Sequence, residues 1–438
     1  AQAGHYLYGK QGYGNARGIW QTVYLEARGD VYIDYARFRP SLADKCVFVD
    51  AKLSAPAKTN LTLALSLAGE RYNLPVKPGQ MTVAGFVKLE KPHLWTLEDP
   101  YLYEAKVELR QAYDNKGGDV VKTYFGFREI GVGKNPNGDS YVTLNGKPIY
   151  LQLCLDQSYH PEGWYTFPTD EFMKNEILIS KRLALSGNRV HIKVEVPRKL
   201  YWADKLGLLI QADVPNAWGP VSEAMFEEHR KCFEDMVKRD FNHPSIYQWT
   251  LFNETWGLYA NPNLSMGLAE GKKNRVYPAW AQRKVAEVYL KTKRADPTRL
   301  VEEQSACHRD HVITDVVSWH GYEVGWKWDD KIAHHCRISG PGSSGEYIGG
   351  YVQGDQPMMN SECGNVWGYK GSTGDCDFTW DYHLMMDAFR RHLKCAGWLY
   401  TEHHDVTNEW NGYVRFDRTP KETGIEELFP GMSLRDLH

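Results

Sequence analysis

At 438 residues, with 42% hydrophobic and 24% charged residues, the chain is too long for one ordinary core and has a globular composition, so two or three domains are expected. The formal net charge is −3 with Lys and Arg scattered, which leaves no basic stripe for a nucleic-acid partner. No apolar run approaches the roughly 18–20 residues of a membrane-crossing helix, and AQAGHYLYGK at the start lacks the apolar core of a signal peptide; no membrane partner is expected and the compartment is left open.

The first third reads as β. VYIDYARF, KCVFVDAKL, LTLALSL, MTVAGFVKL, LYEAKVELR and DVVKTYFGF are short strand-like runs, and in LTLALSL the alternation of Leu61, Leu63, Leu65 and Leu67 is that of a half-buried strand. Turn clusters such as RPSLAD, YNLPVKPGQ and YDNKGG separate them. Such spacing predicts an immunoglobulin-like sandwich over roughly 28–131.

From about 139 strands alternate with helices. The strand candidates are YVTLNGKPIYLQLCLD, NRVHIKVEV, LGLLIQADV, SIYQWTLFNE, RLVEEQS, DVVSWHGYE, QPMMNSECG and KCAGWLYTEHH. Helical stretches between several of them begin with TDEFMKNEILISKRLALS and VSEAMFEEHRKCFEDMVKRD, whose Thr169 and Ser222 stand as N-caps. WAQRKVAEVYLKTKRAD and YHLMMDAFRRHLK follow further on. This pattern predicts a (β/α)8, or TIM, barrel over 132–438, and no GxGxxG or Walker motif points to a doubly wound sheet. The fold class expected is therefore a multidomain α/β plus all-β chain, with residues 1–27 left outside both domains.

Functional side chains of such a barrel stand at the C-terminal ends of its strands. Those ends supply His191, Glu195, Asn253, Glu254, His320, Tyr322, Glu362, Trp398 and Glu402. Glu254 and Glu362 end the fourth and seventh strands, which lie across the barrel mouth from each other. Two carboxyls about 5–5.5 Å apart, one protonated and one ionised, are what glycoside hydrolysis with retention requires. A carboxylate at a strand end can equally be a salt-bridge partner or a helix cap. The 15 Trp and 27 Tyr suit both a core and a site that stacks on sugar rings.

Most of the eight cysteines, such as Cys46, Cys154 and Cys395, sit in apolar runs as small core residues. Cys336 follows His334 and His335, but no second Cys/His pair stands at ligand spacing, so neither a metal nor another cofactor is expected.

The chain resembles glycoside hydrolase family 2, the family of β-galactosidases, β-mannosidases and β-glucuronidases, nearly end to end. GIWQTVYLE looks like the strand that closes that family's N-terminal sugar-binding sandwich, so 1–27 would be the last piece of that domain and the chain a fragment or a trimmed relative. HLWTLEDPYLYEAKVEL and FGFREI look like the end of its immunoglobulin-like domain. LNGKPIYLQLCLDQSYHPEG, YWADKLGLLIQADVP and, most specifically, NHPSIYQWTLFNE resemble its barrel signatures. PMMNSECG resembles the nucleophile strand, with Cys363 where an aromatic is usual.

The resemblance implies a retaining exo-β-glycosidase with Glu254 as acid/base and Glu362 as nucleophile. It further implies Asn253 on the sugar 2-hydroxyl, Tyr322 steadying the nucleophile, Arg189 near it, and His191, His320, Trp398 and Glu402 as sugar-binding candidates, Trp398 as a stacking floor. Arg189 and the two histidines could equally make local contacts only, and Trp398 could be barrel core. Relatives that act on glucuronides carry Asn-x-Lys after strand eight; here Glu409-Trp410-Asn411 falls at that place. A neutral hexoside, first a galactoside, is thus expected over a glucuronide, a mannoside or pentoside being alternatives, as is a non-catalytic sugar-binding barrel. The partner implied is an oligosaccharide or polysaccharide substrate, and a homo-oligomer would be ordinary for the family.

Overall fold

The computed structural model describes residues 18–113, 118–216, 219–260, 276–364, 378–406 and 409–421. Seven antiparallel strands come first: β1 (Ile33–Ser41), β2 (Cys46–Leu53), β3 (Leu61–Leu67), β4 (Glu70–Val76), β5 (Thr82–Lys88), β6 (Tyr103–Gln111) and β7 (Gly118–Phe125). They form two sheets, β1-β2-β5 and β4-β3-β6-β7. Leu61, Leu63, Leu65 and Leu67 are all buried in the core between the sheets, with Val47, Val49, Val107 and Phe125. The YNLPVKPGQ cluster, read as a turn, instead begins inside β4, which pairs with β3 through a two-residue turn at Ala68-Gly69, both with positive φ. As an edge strand with polar Glu70, Arg71 and Asn73, β4 lacks the apolar alternation that reveals its neighbours.

The run YVTLNGKPIYLQLCLD also divides. Asn145 and Gly146, both at positive φ, turn the chain between β9 (Ser140–Leu144) and β10 (Lys147–Pro148), which with β8 (Ile130–Lys134) make a small antiparallel sheet. Only the end of the run, β11 (Leu151–Asp156), enters the barrel.

The barrel strands that follow are β12 (Gly187–Val190), β13 (Leu209–Asp213), β14 (Ile246–Thr250), β15 (Leu300–Glu302), β16 (Val317–Tyr322), β17 (Met358–Gly364) and β18 (Gly397–Tyr400), all parallel. Their order, β15-β14-β13-β12-β11-β18-β17-β16, is that of a barrel closed except between β15 and β16. There Asp315 bridges the seam, its N–H donating to the Val301 carbonyl at 2.9 Å and its carboxylate accepting from the Val301 N–H at 2.8 Å.

The helices are α1 (Asp170–Arg182), α2 (Pro197–Leu206), α3 (Glu223–Asp240), α4 (Ala279–Ala295), α5 (Trp328–Ile338) and α6 (Phe378–Arg391). Thr169 and Ser222 cap α1 and α3, their hydroxyls accepting from Phe172 and Met225. Helices α2 and α5 are hidden from periodicity by their length. The strand expected over NRVHIKVEV stops at Val190, and Pro197 opens α2 at its first position. Leu151, Leu153, Leu155, Leu209, Tyr247, Met359 and Leu399 fill the barrel's lower interior.

Two of the motifs quoted above, FGFREI and NHPSI, meet at the junction of sandwich and barrel. Arg128, buried, donates to the carbonyls of Pro244 (3.0 Å), Ile246 (2.8 Å) and Thr298 (3.0 Å). Gly126 lies so close to Pro244 that a Cβ there would stand 2.6 Å from the proline ring. Asn242 donates to the Ala36 carbonyl and accepts from the Phe38 N–H of β1, at 2.8 and 3.0 Å. His243 and Tyr124 converge on the Asp204 carboxylate of α2 at 2.5 and 2.8 Å. These side chains perform no chemistry; they clasp the sandwich to the barrel just before β14. Arg128→Met should leave three buried carbonyls without their cationic donor and cost on the order of 3 kcal/mol or more, read as a shift of the denaturant midpoint. A loss below about 1 kcal/mol would contradict the clasp.

Candidate active site

Beyond β14 the chain runs through Leu251 and Phe252 to Asn253 and Glu254. Asn253 pairs in parallel with Ser305, and the Glu254 N–H donates to the Ser305 carbonyl at 2.8 Å. Glu254 and Thr255 then take the left-handed conformation, φ 50° and 63°, which bulky residues adopt only where surroundings impose it. The Glu254 side chain is 24% exposed, whereas Glu362, on β17, is 3% exposed.

His320 of β16 stands between them, its Nδ1 2.8 Å from Glu254 Oε1 and 3.5 Å from Glu362 Oε2. One oxygen of each carboxyl lies within 4.8 Å of the other. Tyr322, two residues along β16 and therefore on the same face, donates to Glu362 Oε2 at 2.6 Å.

Arg189 of β12 is fully buried below the pair and binds from several sides. Its Nε reaches both Asp213 oxygens at 3.0 Å, Nη2 donates to Asn253 Oδ1 at 2.6 Å, and Nη1 donates to Glu362 Oε1 at 3.1 Å and to Ser305 Oγ at 2.8 Å. With its oxygen so held, Asn253 keeps a buried Nδ2 that has no hydrogen-bond partner among the described residues. Burial pushes the Glu362 carboxyl up, the charge of His320 pulls it down against the repulsion of Glu254, and Arg189 and His191 carry the balance below the ordinary value. Burial and then the neighbouring carboxylates Glu362, Glu409 and Glu254 push the Tyr322 phenol well up, so it remains a hydrogen-bond donor.

The model of glycosyl hydrolases family 2 matches residues 31–128, and that of the family's TIM barrel domain matches 138–428. The chain belongs to glycosyl hydrolase family 2. Among its relatives in this family, a β-glucuronidase of Bacteroides fragilis is 27% identical over 255 residues, 54% of this chain and 32% of that protein. A β-galactosidase of Thermoanaerobacterium thermosulfurigenes is 32% identical over 163 residues, 36% of this chain and 21% of that one. The chain thus spans about a third or less of the length of these curated relatives. The same fold recurs in a β-galacturonidase of Eisenbergiella tayi bound to galacturonate, with TM-score 0.74, 18% identity, and coverage of 91% of this chain and 72% of that one. A Bacteroides uniformis β-glucuronidase superposes with TM-score 0.69 at 20% identity, over 90% of this chain and 50% of the other.

In this family 2 barrel the remaining expected residues fall in different places. His191 joins the cluster through Asp213, with Nδ1 3.2 Å from Oδ2, and its ring meets the edge of Trp256. Glu195 lies off the mouth, accepting from Ser158 Oγ at 2.5 Å near Lys199. Glu402 is buried after β18, where its carbonyl accepts from the Tyr413 N–H and its charge acts on the Lys421 ammonium. Trp398 points away from the mouth, packed with Ile179, Met385 and Phe389 between β18 and the outer helices.

Three residues outside the expected set complete the site: Asp213 at the end of β13, Ser305 beyond β15 and Ser361 beside Glu362. Reading every strand end for charge finds Asp213; the serines carry no such signal. A second convergence, Asp156, Glu176, His403 and His404, has ligand-type atoms within 4.8 Å of one another. Lys199 already donates to Asp156 at 2.7 Å and Arg418 to both Glu176 oxygens at 2.8 and 2.9 Å, so the charge a metal would supply comes from the chain itself.

Placed in packing and not in the mouth, Trp398→Ala should cost about 3–5 kcal/mol of stability. KM measured well below the lowered Tm should stay unchanged; a raised KM with unchanged stability would return Trp398 to the sugar.

Proposed function

We propose that the chain is a retaining exo-β-glycosidase acting through a covalent glycosyl-enzyme, with Glu254 as acid/base and Glu362 as nucleophile. The observation that carries this reading is the pair itself: two carboxyl oxygens within 4.8 Å in unlike surroundings. Retaining enzymes hold their carboxyls about 5–5.5 Å apart, too close for the water that an inverting enzyme places between them. Glu362, held ionised by Arg189 and steadied by Tyr322, attacks the anomeric carbon as Glu254 protonates the departing oxygen. In the second step Glu254 takes a proton from water, and the resulting hydroxide displaces Glu362. The Asn253 Nδ2, without a partner among the described residues, supports assigning it as donor to the sugar's 2-hydroxyl, a contact that strengthens in an oxocarbenium-like transition state.

For the sugar itself we propose a neutral hexoside, a galactoside first. Glu409 is buried and near enough to Tyr322 to raise its phenol, and a carboxylate close to the nucleophile's partner supports a neutral sugar over a uronate. The cations next along the chain are engaged: Lys421 donates to Asp405 and the Trp410 carbonyl, and Arg415 to the Pro420 carbonyl. Trp164, Trp326, Trp380 and Trp410, between 40% and 70% exposed, follow β11, β16, β17 and β18 and thus border the mouth. They favour a saccharide chain as the natural leaving group.

Glu362→Ala should abolish turnover of a nitrophenyl glycoside, and azide or formate should partly restore it. The azide product should be α-configured, because the anion enters from the face that the carboxylate vacated. Full activity without azide would remove Glu362 from this role. In kcat/KM the nitrophenyl β-galactoside, or another neutral glycoside, should exceed the β-glucuronide by roughly 10²-fold or more, since a buried unpaired carboxylate costs several kcal/mol. Preference for the glucuronide would move the substrate to a uronide, the class named for several relatives, while leaving both glutamates in place.

A further inference from the structure

His320 is expected from the family resemblance to bind a sugar hydroxyl, yet both ring nitrogens already have protein partners. Nε2 lies 2.8 Å from Ser305 Oγ and Nδ1 2.8 Å from Glu254 Oε1, with the side chain 3% exposed. We infer that His320 and Glu254 share the acid/base proton, held between Nδ1 and the carboxyl oxygen, so that His320 is a positioning residue for that proton; this rests on the glycosidase reading above.

The hydrogen-bond inventory around Ser305 leads there. Ser305 has one proton, and its oxygen already accepts from Arg189 Nη1 at 2.8 Å. Its proton goes to Ser361 Oγ at 2.9 Å, so His320 must donate through Nε2. Nδ1 of the neutral ring is then an acceptor, and the proton in its 2.8 Å contact with Glu254 comes from the carboxylic acid. When that proton lies on Nδ1 instead, the contact is an imidazolium–carboxylate pair with the same total charge. The two fillings differ only in the position of one proton.

Among the described residues His320 meets Glu254 beyond β14, Glu362 on β17 and Ser305 beyond β15, with Arg189 reached through Ser305 and Tyr322 through Glu362. Arg189 spends its charge on Asp213 and Glu362, and among the described residues His320 is the basic side chain in contact with Glu254. In the first step the shared proton passes to the glycosidic oxygen, which takes the electrons of the breaking C–O bond while Glu362 forms the new one. In the second step water returns a proton to the Glu254–His320 pair as its oxygen bonds to the anomeric carbon. Without the imidazole, the proton must reside on Glu254 alone, beside the carboxylate of Glu362.

The test uses kcat/KM against pH for the full chain and its His320→Asn, Ser305→Ala and Glu254→Gln variants, on one glycoside with a poor leaving group and one with dinitrophenol. His320→Asn should lose about 100-fold on the poor leaving group and far less on the dinitrophenyl glycoside. Its alkaline limb should move to lower pH, because the pair gives up its proton more readily. Ser305→Ala, which keeps the ring but removes its Nε2 partner, should move the same limb in the same direction by less, and serves if His320→Asn does not fold. An alkaline limb and leaving-group dependence like those of the unaltered chain, with only KM raised, would overturn the inference and leave His320 a hydroxyl-binding residue. Glu254→Gln is the separate control: loss of equal size on both substrates would remove Glu254 as the acid and, with it, the glycosidase reading.

Discussion

A guanidinium with no access to water has to find its counter-charges inside the protein, and Arg189 imposes that requirement on the whole upper half of the barrel. Asp213 from β13, Glu362 from β17, Asn253 after β14 and Ser305 after β15 all meet it. Four strands are thereby held at one height around a single cation. Asp213 alone could neutralise it, and a second carboxylate then leaves local charge in excess. That excess falls among His191, His320 and Tyr322, the groups that contact Asp213 or Glu362.

The two glutamates differ because of where they stand relative to this centre. Glu362 is bound from below by Arg189 and from the side by Tyr322, so its charge is stabilised although water is excluded. Glu254 is a step further out, on backbone in the left-handed region, with the His320 imidazole in hydrogen-bond contact. Identical side chains thus stand in unlike surroundings, one enclosed beside a guanidinium and the other partly exposed beside an imidazole.

Much of this architecture is legible in the sequence. Leu61 to Leu67, Thr169 and Ser222 announce their strand and caps because local rules decide them, and Glu254 and Glu362 stand out as carboxylates ending apolar strands. What escaped has a common cause: its signal is not local. β4 is polar because it is an edge; α2 and α5 are short; the Asn145-Gly146 turn lies inside a run whose hydrophobicity overrode it. Trp398 cannot be assigned from its strand alone, since successive residues face opposite sides and only the helix packing decides which side is core. Ser305 and Ser361 matter through a proton inventory that exists only once the ends of strands five, six and seven converge.

The clasp and Glu254 are joined by one short stretch of chain. Arg128 grips the carbonyls of Pro244 and Ile246, and eight residues beyond Ile246 stands Glu254. Along an extended strand each residue advances about 3.3 Å, so a slip of one position would carry the carboxyl clear of its partner and turn alternate side chains to the opposite face. The strand therefore works as a ruler whose zero mark is set by the sandwich. A barrel expressed without its sandwich would keep every side chain of the site and lose the reference point from which the site is measured.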